Sequence, residues 1–293
     1  INQYYAKKVT NATADLVQVN TAMGTGIKRN QRELRNQVIQ KVTFLERTRY
    51  ELEDLIAENP NSKPHHTAGY IITDENSSRH IYGETAYNTE KQEVTYATGQ
   101  IGTITDGLVP YASWEDSMGN SQGIDYYYNN VKTPAYAHTY LLTSILSPDY
   151  EDLTLDGVTD DDLGSYTKFE YTSSDTNYKW RVPFKDASYN EGLKTDKRDQ
   201  KASYLYGEKE LKYVKKIVTK THVAFIDLVD RNDGLGVIGS SGGNSSNSGT
   251  KMKRISTIRL YSKPEITLNG VINDPGTNGL IKPIKTAHFE YDY

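Results

Sequence analysis

The sequence contains no cysteine. That excludes disulfide staples, thiolate metal sites and cysteine nucleophiles, although it does not decide the compartment. No apolar run approaches about 18 residues, so nothing reads as a membrane-spanning helix. Neither sign of charge dominates: 34 lysines and arginines against 38 aspartates and glutamates leave a net charge of -4, well mixed along 293 residues. Without a basic stripe, nucleic acid is not an expected partner. Phenylalanine is scarce, at 5, against 24 tyrosines. No secretory signal is visible, and the chain starts at Ile1 and stops on Thr286–Tyr293, which reads as a strand cut mid-sheet. It therefore reads as a processed chain or an excerpt of a larger polypeptide.

What is present points to strands. Tyrosine joins a large apolar ring to a polar tip, which suits half-buried sheet faces whose rims meet water. A mean hydropathy of -0.70 agrees with extended sheet more than with a compact helical core. The length allows one large domain or two modest ones.

Along the chain, 1–36 is mixed and polar, with Gly24 and Gly26 interrupting any long helix. Val38 to Leu45 alternates as a strand. Thr48 with Glu51 three residues on forms a capping box, predicting a helix over Arg49–Glu58 that ends at Asn59-Pro60. Beyond Pro64 the pattern becomes β. Tyr70–Ile72, a polar turn at Asp74–Ser78 and Arg79–Tyr82 read as a hairpin. Further strands are expected at Gln92–Thr98, Tyr136–Leu146, Tyr166–Thr172, Tyr178–Val182, Ser203–Tyr206, Leu211–Val229, Lys253–Tyr261 and Ile284–Tyr293. Lys209–Lys220 also has helical spacing, but the β-branched residues after it favour a strand. The expected fold is mainly β, an extended or wound antiparallel sheet with one short helix near the N-terminal part. It divides into a mixed segment, 1–64, and a β-rich region, 65–293. Tyr82-Gly83-Glu84 is echoed by Tyr206-Gly207-Glu208, a weak sign of repetition. The Gly/Ser tract 239–249 reads as a hairpin excursion.

The stretch with the most recognisable ligand spacing is Ser147–Tyr171. Asp152, Thr154, Asp156 and Asp160 place oxygens at positions 1, 3, 5 and 9 of a calcium loop, Gly157 supplies the turn at position 6, and Val158 offers a carbonyl at position 7. Leu163 stands where a bidentate glutamate is expected. The competing reading is a solvated turn whose aspartates cap backbone amides. Ca²⁺, if held, would be structural. Asp230-Arg-Asn232-Asp233-Gly234 is a weaker candidate that reads more simply as an Asn-Asp-Gly turn.

Other motifs reduce to composition. Gly234-Leu-Gly236-Val-Ile-Gly239 matches a dinucleotide fingerprint, but the Gly/Ser tract after it cannot form the required helix. Gly239-Ser-Ser241-Gly-Gly243 matches a nucleophile elbow only because the tract is rich in both residues. His65-His66 read as loop surface. His138, His222 and His288 lie in apolar strands and are expected to be buried and hydrogen-bonded. Carboxylates such as Asp149, Glu151, Glu208 and Glu210 could serve a glycosidase only if two were held at fixed separation. Trp114 and Trp180 could stack on sugars, though strand-face packing is the simpler role. No catalytic or cofactor-binding residue is assigned.

Several segments resemble a known group as a set: His80–Gly83 with Ala86–Asn88 and Gln92–Thr95, Thr133–Thr143, Leu146–Tyr150, Asp161–Phe169, Tyr178–Phe184, Tyr204–Leu211 and His288–Tyr293. Together they resemble a conserved region of very large secreted surface proteins of Bacteroidota with a YD-repeat, RHS-like flavour. The resemblance covers roughly 65–293. It implies export, by the type IX route, to the cell surface or outside the cell. It also implies a structural or adhesive role, as in hook-like or filamentous appendages. The implied partners are other segments or copies of the same protein, as in a homo-oligomer, and surface structures of other cells. Alternatives are an RHS-like shell of a polymorphic toxin, or a carbohydrate-active β-domain that hydrolyses or binds glycans.

Overall fold

A computed structural model of the chain describes residues 38–59, 62–100, 104–154, 156–173, 177–190, 199–243, 250–276 and 279–292. The polar segment 1–36 and most of the Gly/Ser tract, 244–249, lie outside the described residues. Among the described residues the fold is mainly β, as expected, with a large antiparallel sheet and two short helices. The chain gathers into two compact units, one formed up to Gly83 with Ser144–Ser165, the other from Glu84–Thr143 and Tyr166–Tyr293.

The first unit holds β1 (Ile39–Thr43), α1 (Phe44–Arg49), β2 (Thr67–Thr73) and the opening residues of β3 (Arg79–Ala97). β1 pairs antiparallel with β2, setting Ile39 opposite Ile72 and Val42 opposite Gly69. The β2–β3 hairpin is the one the sequence predicts. The Asp74 carboxylate accepts from the backbone N–H of Asn76 and of Ser78, both at 2.9 Å, which closes the turn. Among its described residues, Val42, Ile56, Ala68, Ile81, Leu146 and Val158 are the buried apolar ones.

The helix lies earlier than the spacing predicts. Thr43, not Thr48, is the N-cap: its hydroxyl accepts from Glu46 N at 3.2 Å and donates to Glu46 Oε2 at 2.8 Å. Two capping boxes overlap in this stretch, and the first is used because β1 delivers Thr43 in extended conformation. Glu51, at φ 53°, then sits in the left-handed region and helix ends before it, so 50–56 is a run of turns.

The second unit carries the remainder of β3, flanked by β10 (Lys201–Lys209) and β5 (Tyr128–Thr133). β8 (Tyr178–Val182) and β9 (Ala187–Asn190) both pair with β10, and β4 (Leu108–Val109) pairs with β9. β6 (Tyr136–Leu146), β7 (Tyr166–Tyr171), β11 (Val214–Thr219), β12 (His222–Leu235), β13 (Lys251–Ser262) and β16 (Lys285–His288) continue the hydrogen-bonded order outward from β3, with β16 at the end. After β13 come α2 (Lys263–Ile266) and the separate ribbon of β14 (Thr267–Leu268) and β15 (Val271–Ile272).

The long run predicted at Leu211–Val229 is two strands. Lys220-Thr221 turns the chain, and the Thr219 hydroxyl accepts from His222 N at 3.0 Å and donates to His222 O at 3.1 Å. β5 and β9 carry little apolar alternation and are not evident from pattern.

Alternation aims one face of β3 and β10 inward. Val94, Tyr96, Ala202, Tyr204 and Tyr206 pack there with Val109, Ala187 and Val237. Trp180, paired with Gly207, lies on the other side of its strand. A Cβ on Gly207 would fall 2.6 Å from the indole ring, so glycine is what lets the ring lie on the backbone. Trp180 therefore packs on a strand face, as the simpler reading expects, whereas Trp114 is exposed.

His138, His222 and His288 are exposed, against expectation. Strand membership fixes only two faces, and these side chains take the outer one. Burial and Lys209 nonetheless hold the His138 imidazole below its ordinary range, only partly offset by a backbone bond at Glu210.

Candidate functional site

The acidic segment of the first unit is a closed turn. Ser147 N donates to Ser165 O at 3.0 Å and Leu163 N to Glu151 O at 3.0 Å, which clamps the two ends together. Gly157 and Gly164, at φ 98° and 71°, supply left-handed corners between them. At Gly157 a Cβ would also lie 2.8 Å from Cγ of Asp54, so the loop closes against that carboxylate. Asp54 accepts from Val158 N at 2.9 Å.

Three carboxylates converge there: Asp152, Asp156 and Asp162 each place an oxygen within 4.8 Å of the others. Two of them belong to the predicted set. The third, Asp162, does not, although it stands next to the position where an acid was expected. Thr154 serves the cluster indirectly, its hydroxyl donating to Asp156 Oδ1 at 2.7 Å. Asp160 is exposed and is not one of the three converging carboxylates, and Val158, whose carbonyl the loop spacing puts forward, is buried.

Asp162 is the anchor. It is buried, and its carboxylate accepts from the Tyr150 hydroxyl at 2.8 Å, Thr159 N at 2.8 Å and Leu153 N at 3.3 Å. Burial, then the bond to Asp162 and the charges of Asp162, Asp152 and Asp54, hold the Tyr150 phenol protonated far above its ordinary range. Arg79 faces the Tyr150 ring at 5.7 Å and donates to its carbonyl at 3.0 Å. The aspartates of this turn cap amides, as the competing reading expects, and three of its carboxylates stand close enough together that they could hold a metal ion.

The weaker candidate at 230–234 is neither an ion loop nor a free turn. It lies within β12, where Asp230 pairs with Lys253 at 2.7 Å and Asp233 with Arg231 at 2.6 Å. The glycine fingerprint starts in strand and leaves it. Gly234 and Leu235 end β12, and Gly236 N bonds Thr250 O at 3.0 Å, so no helix N-terminus is offered.

The second unit contains two buried arginines that no motif signals. Arg181 on β8 donates to the carbonyls of Ser240 at 2.6 Å and Pro183 at 2.8 Å, and to that of Asp186. Its guanidinium lies 4.1 Å from the ring centre of Tyr204 and 5.3 Å from that of Tyr111. Both phenols donate to one oxygen of Asp116, at 2.6 and 2.8 Å. Arg259 on β13 is instead bracketed by carboxylates. It donates to Asp227 at 2.8 and 2.7 Å and to Asp274 at 2.8 and 3.2 Å.

Among the acids considered for hydrolysis, Glu208 accepts from the Tyr206 hydroxyl at 2.6 Å and pairs with Lys179 at 3.3 Å. Burial works to raise its pKa, but these two donors outweigh it and hold the carboxyl below its ordinary range. Asp149 accepts from the Ser147 hydroxyl at 2.6 Å.

Comparison with protein-family models, with curated proteins and with solved structures finds no match to this chain.

Proposed function

We propose that this chain is a structural, adhesive module of an extracellular surface protein, its acidic turn stiffened by Ca²⁺. The observation that carries the reading is the use made of buried charge. Arg259 and Asp227 are 32 residues apart in sequence, Asp116 and Tyr204 are 88 apart, and Lys263 and Tyr166 are 97 apart, yet each pair is joined directly. Such bonds fix shape between distant segments. The convergence of Asp152, Asp156 and Asp162 supports the calcium part, since extracellular modules hold Ca²⁺ weakly and exploit its abundance outside cells. β16 supports contact with other copies or segments. It is an end strand among the described residues, and Ile284, Phe289 and Tyr291 beside it are exposed.

The test has two arms. Thermal unfolding in Ca²⁺ at about a hundred times Kd, against chelator, should raise Tm by roughly 5–10 °C. An unchanged Tm removes the calcium part. Solution mass by light scattering should show association that weakens when Phe289 and Tyr291 are changed to serine. A strictly monomeric chain that cleaves glycans would overturn the structural reading.

A further inference from the structure

Three side chains in the second unit are almost wholly buried, and each leaves one polar atom without a partner among the described residues. They are Tyr96, 1% exposed, at its hydroxyl; Glu115, 0% exposed, at Oε1; and Arg181, 4% exposed, at Nη2. Buried polar atoms are nearly always satisfied, so each of these calls for an explanation.

Register and contacts place the three in one neighbourhood. Tyr96 pairs with Ala202 and Val94 with Tyr204, so Tyr96 and Tyr204 are diagonal neighbours on one face. Arg181 pairs with Tyr206 on that same face, and its guanidinium covers the Tyr204 ring. Asp116 accepts from the Tyr204 hydroxyl, and its neighbour Glu115 is tied to the end of β3, since Asn120 donates both to the Glu115 carbonyl and to Ala97 O at 2.8 Å. Glu115 Oε2 accepts from Gln100 at 3.0 Å. Electrostatics agree: the Tyr96 phenol is pushed up by burial, then by Asp116 and Glu115, and eased by Arg181.

We propose that Tyr96 Oη, Glu115 Oε1 and Arg181 Nη2 bind an internal water that fastens the β4–β5 connection to the sheet beneath it. The chemistry of the three atoms selects the ligand. The guanidinium and the phenol each offer a hydrogen to one oxygen, and the carboxylate oxygen needs a hydrogen in return. Water accepts two and donates one, the usual complement for an internal water. An anion would meet the Glu115 carboxylate, and a metal ion would meet the guanidinium.

A crystal structure of the whole chain, at a resolution that shows ordered water, tests this. The expected result is one density peak within about 2.7–3.2 Å of Glu115 Oε1 and Arg181 Nη2, with Tyr96 Oη as the third neighbour. Direct bonds among the three side chains would overturn the proposal. So would an empty space between them, or a peak at the shorter distances of a metal. Magnetic relaxation of water oxygen provides a count in solution: Glu115→Leu should hold one fewer long-lived water than the unaltered chain, and an equal count would also overturn the proposal.

Discussion

Arg181 and Arg259 are both nearly inaccessible, 4% and 3% exposed, yet their charges are held in opposite ways. Arg259 sits between two carboxylates that themselves reach solvent, Asp227 at 30% and Asp274 at 44% side-chain exposure. Among the described residues no carboxylate bonds Arg181; backbone carbonyls and two tyrosine faces surround it, and the negative charge of Asp116 is passed on through phenol hydroxyls. Proton affinities follow this division. Bonds from Asp227 and then Asp274 raise that of Arg259, while burial lowers that of Arg181 against the pull of its tyrosines. An arginine can therefore be kept inside a sheet protein by ion pairing at a rim, or by carbonyls and aromatic faces in a core.

The largest predicted effect comes from removing each arginine in turn. Arg181→Met strands three carbonyls and uncovers two aromatic faces, and should cost about 3–5 kcal/mol. Arg259→Met frees two carboxylates that can rehydrate, and should cost about 1–2 kcal/mol. Urea unfolding of both variants measures the difference, and equal losses would erase the distinction between the two arginines.

Next in size is the response to alkali. Tyr96, Tyr111 and Tyr204 around Arg181 all have phenols raised above the ordinary 10.0, by burial first and by the Asp116 carboxylate next. A raised pKa contributes stability that is complete below the unfolded value and is lost as pH climbs past it. Stability should therefore fall steeply above about pH 10, with phenolate absorbance appearing together with unfolding. Early, gradual ionisation of all the tyrosines would contradict the buried cluster.

Acid should act on the other arginine, more weakly. Burial works to raise Asp274, but Arg259 and the Gly276 N–H outweigh it and hold the carboxyl below the ordinary 3.8. A lowered carboxyl contributes stability that is present above the unfolded value and is lost as pH falls through the folded one. Hydrogen exchange in β13 and β16 should then accelerate below about pH 4 before exchange in β3 and β10 does. The reverse order would place the acid-sensitive region elsewhere.

The strands were legible where apolar alternation was dense. Tyr136–Leu146 and Tyr178–Val182 coincide with β6 and β8. The helix was misplaced because Thr43-x-x-Glu46 and Thr48-x-x-Glu51 are equivalent as text, and only the preceding strand decides between them. In the acidic turn, Asp152 and Asp156 follow loop spacing, whereas Asp162 arrives through the Glu151–Leu163 bridge, a long-range closure that spacing does not encode. Arg181 was hidden for a related reason. In Tyr178–Val182 the cationic residues alternate with Trp180 and read as the wet face. The face they share with β10 is lined by Tyr204 and Tyr206, and that pairing is invisible locally. Glu115 lies in an irregular polar connection, where nothing marks a carboxylate as buried.

The smallest predicted effect is the most discriminating, because its sign matters more than its size. Tyr96→Phe removes one hydroxyl from the Arg181 side of the comparison and leaves the ring in the core. If that hydroxyl shares a water with Glu115 and Arg181, its loss should cost about 0.5–1.5 kcal/mol, the net worth of an ordinary hydrogen bond. If the hydroxyl has no partner at all, the same change removes an unsatisfied buried group, and the protein should gain stability. The matching change beside Arg259 is Tyr261→Phe, whose hydroxyl bonds Arg259 and Gly276 O at 3.3 Å each. That variant should lose a comparable amount in either case, so it calibrates the measurement. Stabilisation by Tyr96→Phe beside destabilisation by Tyr261→Phe would mean that the core arginine tolerates an unpaired neighbour and holds no water.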